Sequence, residues 1–335
     1  MKKVITIIGL GLLGMQINAQ EYYPLPSPCD PDKVFNYLPS AAYENVCVYH
    51  LEVNNMPFNK WPKEIYRYPN VRDITLQNDN ISEIPIDVYN LNQLETLDLS
   101  GNKLTRLPST IGEFKKLKRL ILTGNQLTTL PYDLVKLTNL EEIDISGNPM
   151  QIIPSVLSVM PQLKIVKTGG YKINNPVVFL NSLRGTNVTS LDLSNCGLNY
   201  VPSQISYFTK LKEINLSNNN IYGLGDALFG LPSLNAINLS GNHLKDLPAS
   251  INQAMALKEL NVSNNAITTL PATFGNLKLN KLNIEGNNLD AASLNILNIM
   301  NGVAPSVPNP DPLMPRAVKH YKQKSAHKHY KKRKK

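Results

Sequence analysis

The 335-residue sequence has few of the residues from which catalytic and metal sites are built. It contains three cysteines, Cys29, Cys47 and Cys196, and no C-x-x-C pair, which excludes a disulfide-dense scaffold and gives no thioredoxin-like or zinc signal. The motifs G-x-x-x-x-G-K-[ST], H-E-x-x-H and G-x-S-x-G are absent. Only His50 and His243 lie outside the C-terminal tail. We therefore expect no enzymatic activity, no cofactor, no metal site and no small-molecule substrate.

Charge is also scarce outside one segment. Charged residues make up 18% of the sequence, and the net charge is +9. Residues 303–335 contain ten Lys/Arg and one acid, Asp311, whereas residues 4–302 contain 22 basic and 24 acidic side chains. The body is therefore nearly neutral, so the basic pI is no argument for nucleic-acid binding by the body.

A repeat of 23 residues organises most of the chain. LETLDLSGNKLTRLPSTIGEFKK begins at Leu94, LKRLILTGNQLTTLPYDLVKLTN at Leu117 and LEEIDISGNPMQIIPSVLSVMPQ at Leu140. The frame recurs towards both ends of the chain, beginning at Val48 (weakly), Val71, Leu211, Leu234, Leu257 and Leu279. Each unit approximates L-x-x-L-x-L-x-x-N-x-L-x-x-L-P, in which we number the first Leu as position one.

The spacing within a unit predicts its local structure. Alternation at positions four and six predicts a short strand with one buried face, and positions one, eleven and fourteen point inward as well. Pro after position fourteen, as in Pro108, fixes φ where the chain leaves the turn. One unit cannot bury its own apolar edge, so neighbouring units must stack.

The pattern resembles the leucine-rich repeat family over residues 48–302, specifically the 23-residue type found in secreted bacterial proteins. The resemblance implies an α/β solenoid: a horseshoe with a parallel concave β-sheet, short helical, 3-10 or extended convex returns, and about 10–11 repeats.

Position nine forms a column of asparagines. A buried amide at a sharp turn can donate to and accept from backbone groups of adjacent turns, which favours a structural role. The column consists of Asn102, Asn125, Asn148, Asn219, Asn242, Asn265 and Asn287. Asp79 and Cys196 occupy the same column, and the resemblance implies that Cys196 is a buried free thiol and no nucleophile.

Two units depart from the pattern. The unit at 163–187 is 25 residues long, has Tyr171 at position nine and lacks the x-x-L-P close, while residues 177–180 could still pack inward. It is either a tolerated insertion on the convex side or a bend or binding loop. The first unit has Met56 at position nine and Trp61 at position fourteen, as expected beside a cap.

The N-terminus contains G-L-G-L-L-G at residues 9–14, which could open a dinucleotide-binding βαβ unit. The prolines of PLPSPCDPDK leave no such unit, whereas Lys2-Lys3, an uncharged stretch and Ala19 fit a signal peptide over residues 1–19. We therefore expect export to a secreted, periplasmic or cell-surface location. Residues 20–47 are expected to cap the solenoid. After export Cys29 and Cys47 would form a disulfide, the alternative being two unrelated thiols.

LDAASLNILNIMNG, residues 289–302, predicts a closing helix with Leu289, Leu294, Leu297 and Met300 apolar. Residues 303–335 form a Pro-rich linker and a basic tail expected to be disordered. The tail is either inert, or bound to the acidic concave half, or a ligand for a polyanion such as nucleic acid, an anionic cell-surface polymer or a membrane surface. The residues predicted to contact a polyanion are Lys328, Lys331, Lys332, Arg333, Lys334 and Lys335.

The sheet's outward positions three and five form the predicted protein-binding surface. Its candidate residues are Asp73, Asp98, Arg119, Ile121, Glu142, Asp144, Lys167, Asp192, Glu213, Asn215, Asn238 and Asn261. Polar residues there could also serve solubility alone. We expect a binding module for an unidentified protein partner, with a structural or adhesive envelope protein that binds through its tail as the alternative.

Overall fold

The computed structural model describes residues 29–38, 47–150, 155–301 and 321–322. Within these ranges the strands form one sheet in sequence order, and β1 to β12 are parallel. The strands are β1 (Val34–Phe35), β2 (His50–Glu52), β3 (Asp73–Thr75), β4 (Thr96–Asp98), β5 (Arg119–Ile121), β6 (Glu142–Asp144), β7 (Ile165–Lys167), β8 (Ser190–Asp192), β9 (Glu213–Asn215), β10 (Ala236–Asn238), β11 (Glu259–Asn261), β12 (Lys281–Asn283) and β13 (Tyr321–Lys322).

Equal positions of successive units pair across the sheet, so that Leu97 lies opposite Leu120 and Leu120 opposite Ile143. Strands β2 to β12 supply one strand for each of the eleven units. The predicted leucine-rich-repeat solenoid with a parallel sheet is therefore confirmed. The cap contributes the additional strand β1, which the repeat pattern did not predict.

Short 3-10 segments return the chain after most strands. They span Lys63–Arg67, Ile86–Asn90, Ser109–Glu113, Tyr132–Lys136, Ser155–Val159, Ser203–Tyr207, Asp226–Leu228, Ala249–Gln253 and Ala272–Asn276. The predicted prolines precede these segments, with φ of −70° at Pro108 and −68° at Pro248. Neighbouring strands lie about 4.8 Å apart. The 3-10 segments of successive units are bulkier and cannot approach one another as closely. The sheet therefore lies on the concave side of the curve.

The core runs continuously along the solenoid. In the unit from Leu94, the side chains of Leu97, Leu99 and Leu104 are fully buried. Ile111 and Phe114, at positions eighteen and twenty-one, are fully buried as well. These two columns extend the core into the convex returns, so each unit stabilises both of its neighbours.

The irregular unit replaces the 3-10 return with helix α1 (Pro176–Ser182), whose N-cap Asn175 accepts a hydrogen bond from the Val178 amide at 3.1 Å. This helix contacts the 3-10 segments on both sides, so the insertion lies on the convex side. Phe179 and Leu180 are buried. The expectation that Val178 packs inward is wrong: it is 59% exposed, because a helical residue one position before Phe179 points to a different side.

Helix α2 (Ala291–Met300) packs against the Ala272–Asn276 segment and closes the last unit. Asp290 caps it by accepting from the Ser293 amide at 2.7 Å. Leu297 is buried, but Leu294 is 38% exposed because the helix contacts the solenoid along one face only, so its prediction as a closing contact is wrong. No helix within the described ranges is long and apolar enough to cross a bilayer.

The predicted cap is described at residues 29–38 and at Cys47. A disulfide joins Cys29 to Cys47 with a Cα–Cα distance of 5.2 Å. Trp61 is buried at 5% exposure, whereas Met56 is 48% exposed and does not fill position nine of the first unit.

Within the predicted tail, β13 pairs antiparallel with β12, Tyr321 opposite Leu282. The expectation of a disordered tail therefore does not hold at residues 321–322, whose backbone groups pair with the last strand. The predicted signal peptide at 1–19 and the six basic residues assigned to polyanion contact lie outside the described residues.

Candidate functional site: the concave sheet face

The concave sheet face consists of the side chains at positions three and five of strands β3 to β12. Every residue predicted to contact a partner lies on it. Position three supplies Asp73, Arg119, Glu142 and Glu213, and position five supplies Asp98, Ile121, Asp144, Lys167, Asp192, Asn215, Asn238 and Asn261. The parallel register aligns each position into a row that crosses the strands.

The acidic and amide side chains at position five also stabilise the turn after each strand. Oδ1 of Asp98 accepts a hydrogen bond from the Ser100 amide at 2.9 Å, and Oδ1 of Asn238 accepts from the Ser240 amide at 3.1 Å. Such Asx turns end the strand locally. The repeated D/N-x-S triplet was the signal in the sequence. In Asp98 the second carboxylate oxygen is engaged as well, because Oδ2 accepts from Gln77 Nε2 at 2.7 Å.

Glu142 is the centre of an ion-pair cluster on this face. Arg119 Nε and Lys167 Nζ each donate to its carboxylate at 2.8 Å, and Lys167 Nζ lies 3.8 Å from Asp144 Oδ2. Glu142 is 6% exposed and Asp144 is 9% exposed. The surrounding side chains cover most of both acids, and their contact with a partner stays a prediction.

Opposing effects set the ionisation of this cluster. Burial tends to raise the pKa of Glu142, but hydrogen bonds from Lys167 and Arg119 outweigh it and hold the pKa below its ordinary value. Burial tends to lower the pKa of Lys167, but Glu142 outweighs it and raises that pKa. Glu142 and Lys167 are therefore both charged at neutral pH.

The ion pairs also orient Arg119. Its Nε is occupied by Glu142, and its terminal guanidinium nitrogens form no hydrogen bond to another described residue. The register places Ile165 in the row of Arg119 and Glu142, and Ile121 in the row of Asp144 and Lys167. Two part-exposed aliphatic side chains, Ile121 and Ile165, therefore share the rows of this ion-pair cluster.

The asparagine column has backbone partners on both sides. Asn219 Nδ2 donates to the carbonyls of Leu193 and Leu216 at 2.9 Å, and its Oδ1 accepts from the Cys196 and Leu198 amides at 2.9 and 3.0 Å. Asn102, Asn125, Asn148 and Asn242 are also buried, whereas Asn265 and Asn287 are part-exposed with the same pattern of bonds. These amides link consecutive turns and are turned away from the concave face.

Position eight is a second column that the sequence analysis missed. The backbone there has a positive φ, for example 66° at Gly124 and 53° at Asn218. Only glycine and, less readily, asparagine adopt this conformation. The signal in the sequence is that position eight is glycine or asparagine in each unit, which assigns Asn218 to the turn.

The described residues contain no group of three His, Cys, Asp or Glu side chains arranged to hold a metal. Cys196 is fully buried, and burial raises the pKa of its thiol to about 11. Its Sγ donates to the Ser194 carbonyl at 3.3 Å. A neutral thiol without access to solvent is not a nucleophile.

Family models match the chain in three stretches. Residues 32–175 match a leucine-rich repeat region, and residues 186–244 and 256–277 match leucine-rich repeats. The chain is a leucine-rich repeat protein. No curated protein matches it.

Solved structures share the fold of this leucine-rich repeat protein. A chain of the Toll–Spatzle complex from Drosophila has 20% sequence identity, with 75% of this chain and 38% of that chain covered and a TM-score of 0.58. A leucine-rich repeat protein of Leptospira interrogans has 20% identity, with coverage of 80% and 97% and a TM-score of 0.39. An internalin of Listeria monocytogenes has 19% identity, with coverage of 71% and 80% and a TM-score of 0.46. At these identities the likeness concerns the fold alone.

Proposed function

We propose that the protein is a non-enzymatic binding module that recognises a protein partner on its concave sheet face. The observation that carries the proposal is the unbroken row of twelve parallel strands, whose outer face is free of covering elements from β3 to β11 in the described residues. The nine strand intervals of about 4.8 Å from β3 to β12 make a surface about 43 Å long. A standard interface needs about 800 Å² per partner, which such a surface provides.

The Glu142 cluster is the centre of the proposed interface. Arginine is enriched among the residues that dominate binding energies, and such residues lie in the middle of an interface. Arg119 has the further advantage of being held by Glu142, so little side-chain entropy is lost when a partner binds. A structural relative from the Toll–Spatzle complex supports the use of this fold in a protein complex, at the level of the fold.

The basic C-terminal tail is proposed to contact a polyanion or cell surface after export. The disulfide between Cys29 and Cys47 supports export, because disulfides persist in oxidising compartments. The second candidate function is a structural or adhesive envelope protein in which the tail alone binds. The tail's concentration of ten Lys/Arg with a single acid favours this alternative.

Removing the C-terminal tail distinguishes recognition by the concave sheet face from binding by the tail alone. The partner is first identified by cross-linking in the native source, and the full chain and residues 1–302 are then compared in pull-downs at low and high salt. Concave-face recognition predicts that residues 1–302 retain the partner at high salt, because buried contacts are little screened. Loss of all binding on truncation would refute it and favour the tail-driven function.

A further inference from the structure

A small cavity lies beside the irregular unit, away from the concave sheet face. Its volume is about 230 Å³, and it is bounded by residues 173–176 of the irregular unit and 197–200 of the next. The sequence explains it. Regular units bury a leucine at position fourteen, as at Leu107 and Leu247, but this unit has Pro176 there and the next has the shorter Val201. The cavity thus lies where two consecutive units both depart from the leucine at position fourteen.

The lining of the cavity is neutral and rich in amides. Asn174 and Asn199 are exposed and form no side-chain hydrogen bond with a described residue. Asn175 uses its Oδ1 to cap helix α1, which leaves its Nδ2 available. No charged side chain lines the cavity. The lining residues therefore offer several neutral donors and acceptors, and the Lys172 side chain passes the edge of the cavity at Gly197.

Aromatic side chains border the same opening. Tyr200 lines the cavity and is 49% exposed. The Asn220 amide donates to the Leu198 carbonyl at 2.8 Å, so Tyr222, two residues further on, belongs to the unit next to this lining. Tyr222 is 63% exposed and stacks on His243 at 5.1 Å between ring centroids.

We propose that this cavity binds one pyranose ring of a neutral saccharide. The hydroxyls of the sugar ring can both donate to and accept from the free amides of Asn174 and Asn199. The apolar C–H face of the sugar can pack on the exposed ring of Tyr200. The volume is below the roughly 300–1,000 Å³ of sites for drug-sized ligands, which fits a single ring. The saccharide is recognised and not turned over, since no acid or base lines the cavity. This site is independent of the proposed concave-face function.

Saturation-transfer difference NMR tests the proposal on the full chain. The probes are glucose, galactose, mannose and N-acetylglucosamine, together with a trisaccharide whose terminal ring is one of them. We expect saturation of the ring protons of at least one probe. Signal from the free sugar alone indicates a receptor for small sugars, and signal concentrated on the terminal ring of the trisaccharide indicates recognition of a glycan end. Both support the proposal.

Substitutions at the cavity test whether the sugar probes bind there. Tyr200→Ala and Asn199→Leu should abolish the signal, whereas Tyr200→Phe should retain it because the ring remains. Tyr132→Ala is the matched control, since Tyr132 is 70% exposed and lies on another unit. Circular dichroism and thermal midpoints verify that each variant folds. The proposal is overturned if no probe is saturated, if folded Tyr200→Ala binds as well as wild type, or if Tyr132→Ala loses the signal equally.

Discussion

Asp79 places a carboxyl group in the position-nine column, where most units have the amide of an asparagine. Its Oδ1 accepts from the Met56 amide at 2.6 Å, just as Asn102 Oδ1 accepts from the Asp79 amide at 3.1 Å. Its Oδ2 therefore takes the place of the asparagine Nδ2, which in Asn102 donates to the Leu76 carbonyl at 2.7 Å. This oxygen is buried without a hydrogen-bond partner. An ionised Asp79 can only accept, so its Oδ2 cannot replace the missing donor.

Replacing Asp79 with Asn should stabilise the protein, most of all at high pH. Burial raises the pKa of Asp79, and the Met56 amide only partly opposes this. The folded state therefore binds this proton more tightly, and stability falls as pH rises from the unfolded pKa near 3.9 through the folded value. Asp79→Asn removes this loss, with a gain of about 1–3 kcal/mol above the folded pKa. Urea unfolding across the pH range measures it; equal pH dependence in both proteins would contradict the account.

Cys196 should be unreactive in the native protein. Its burial and a thiol pKa of about 11 leave almost no accessible thiolate at pH 8. With Cys29 and Cys47 joined, we expect no reaction with an aromatic disulfide reagent under native conditions and one thiol per chain after denaturation. Rapid labelling of the native protein would show that the turn at Cys196 opens.

At the scale of elements, the ion pairs that cross β5, β6 and β7 contribute stability that depends on pH. The lowered pKa of Glu142 means that its contribution is present above the unfolded pKa near 4.3 and is lost as pH falls through the folded value. Glu142→Gln should lower the free energy of unfolding at pH 7 by roughly 1–3 kcal/mol.

Glu141→Gln is the matched control. Its Oε1 lies 2.7 Å from Lys164 Nζ, and these two residues directly precede strands β6 and β7. Both side chains are about half exposed. An exposed pair contributes about 0–1 kcal/mol. Urea titrations of both variants at pH 4 and pH 7 measure the difference, and equal effects at pH 7 would show that burial of Glu142 does not strengthen its ion pairs.

The sequence predicted some elements better than others, for physical reasons. Strands β3 to β12 were predictable because a one-residue shift would expose every core leucine. Strand β1 was not, since two residues outside the repeat frame carry no periodic signal. For helix α1 and the cavity beside it, the sequence indicated only that the unit at 163–187 lacks the L-x-x-L-P motif. The burial of Glu142 depends on Arg119 and Lys167 of neighbouring units, which no single unit reveals.

At the scale of the whole molecule, charge separates a nearly neutral solenoid from a basic tail. We therefore expect the full chain to bind immobilised heparin and elute with salt, since each charge near a polyanion contributes a screened attraction. Residues 1–302 should pass through the column. Strong retention of the truncated protein would place the polyanion site on the solenoid.

The central claim is that the concave sheet face is the partner-binding surface. Ile121 and Tyr132 belong to the same repeat, Ile121 on strand β5 and Tyr132 in the convex return. Because Cys196 is buried, Ile121→Cys and Tyr132→Cys each provide a single accessible thiol for a polyethylene glycol maleimide. The unlabelled variants report any effect of the substitution itself.

The decisive measurement is retention of the cross-linked partner by these two labelled proteins. The account predicts that polymer at position 121 abolishes binding, while polymer at position 132 leaves it unchanged. Undiminished binding by the protein labelled at position 121 would contradict it.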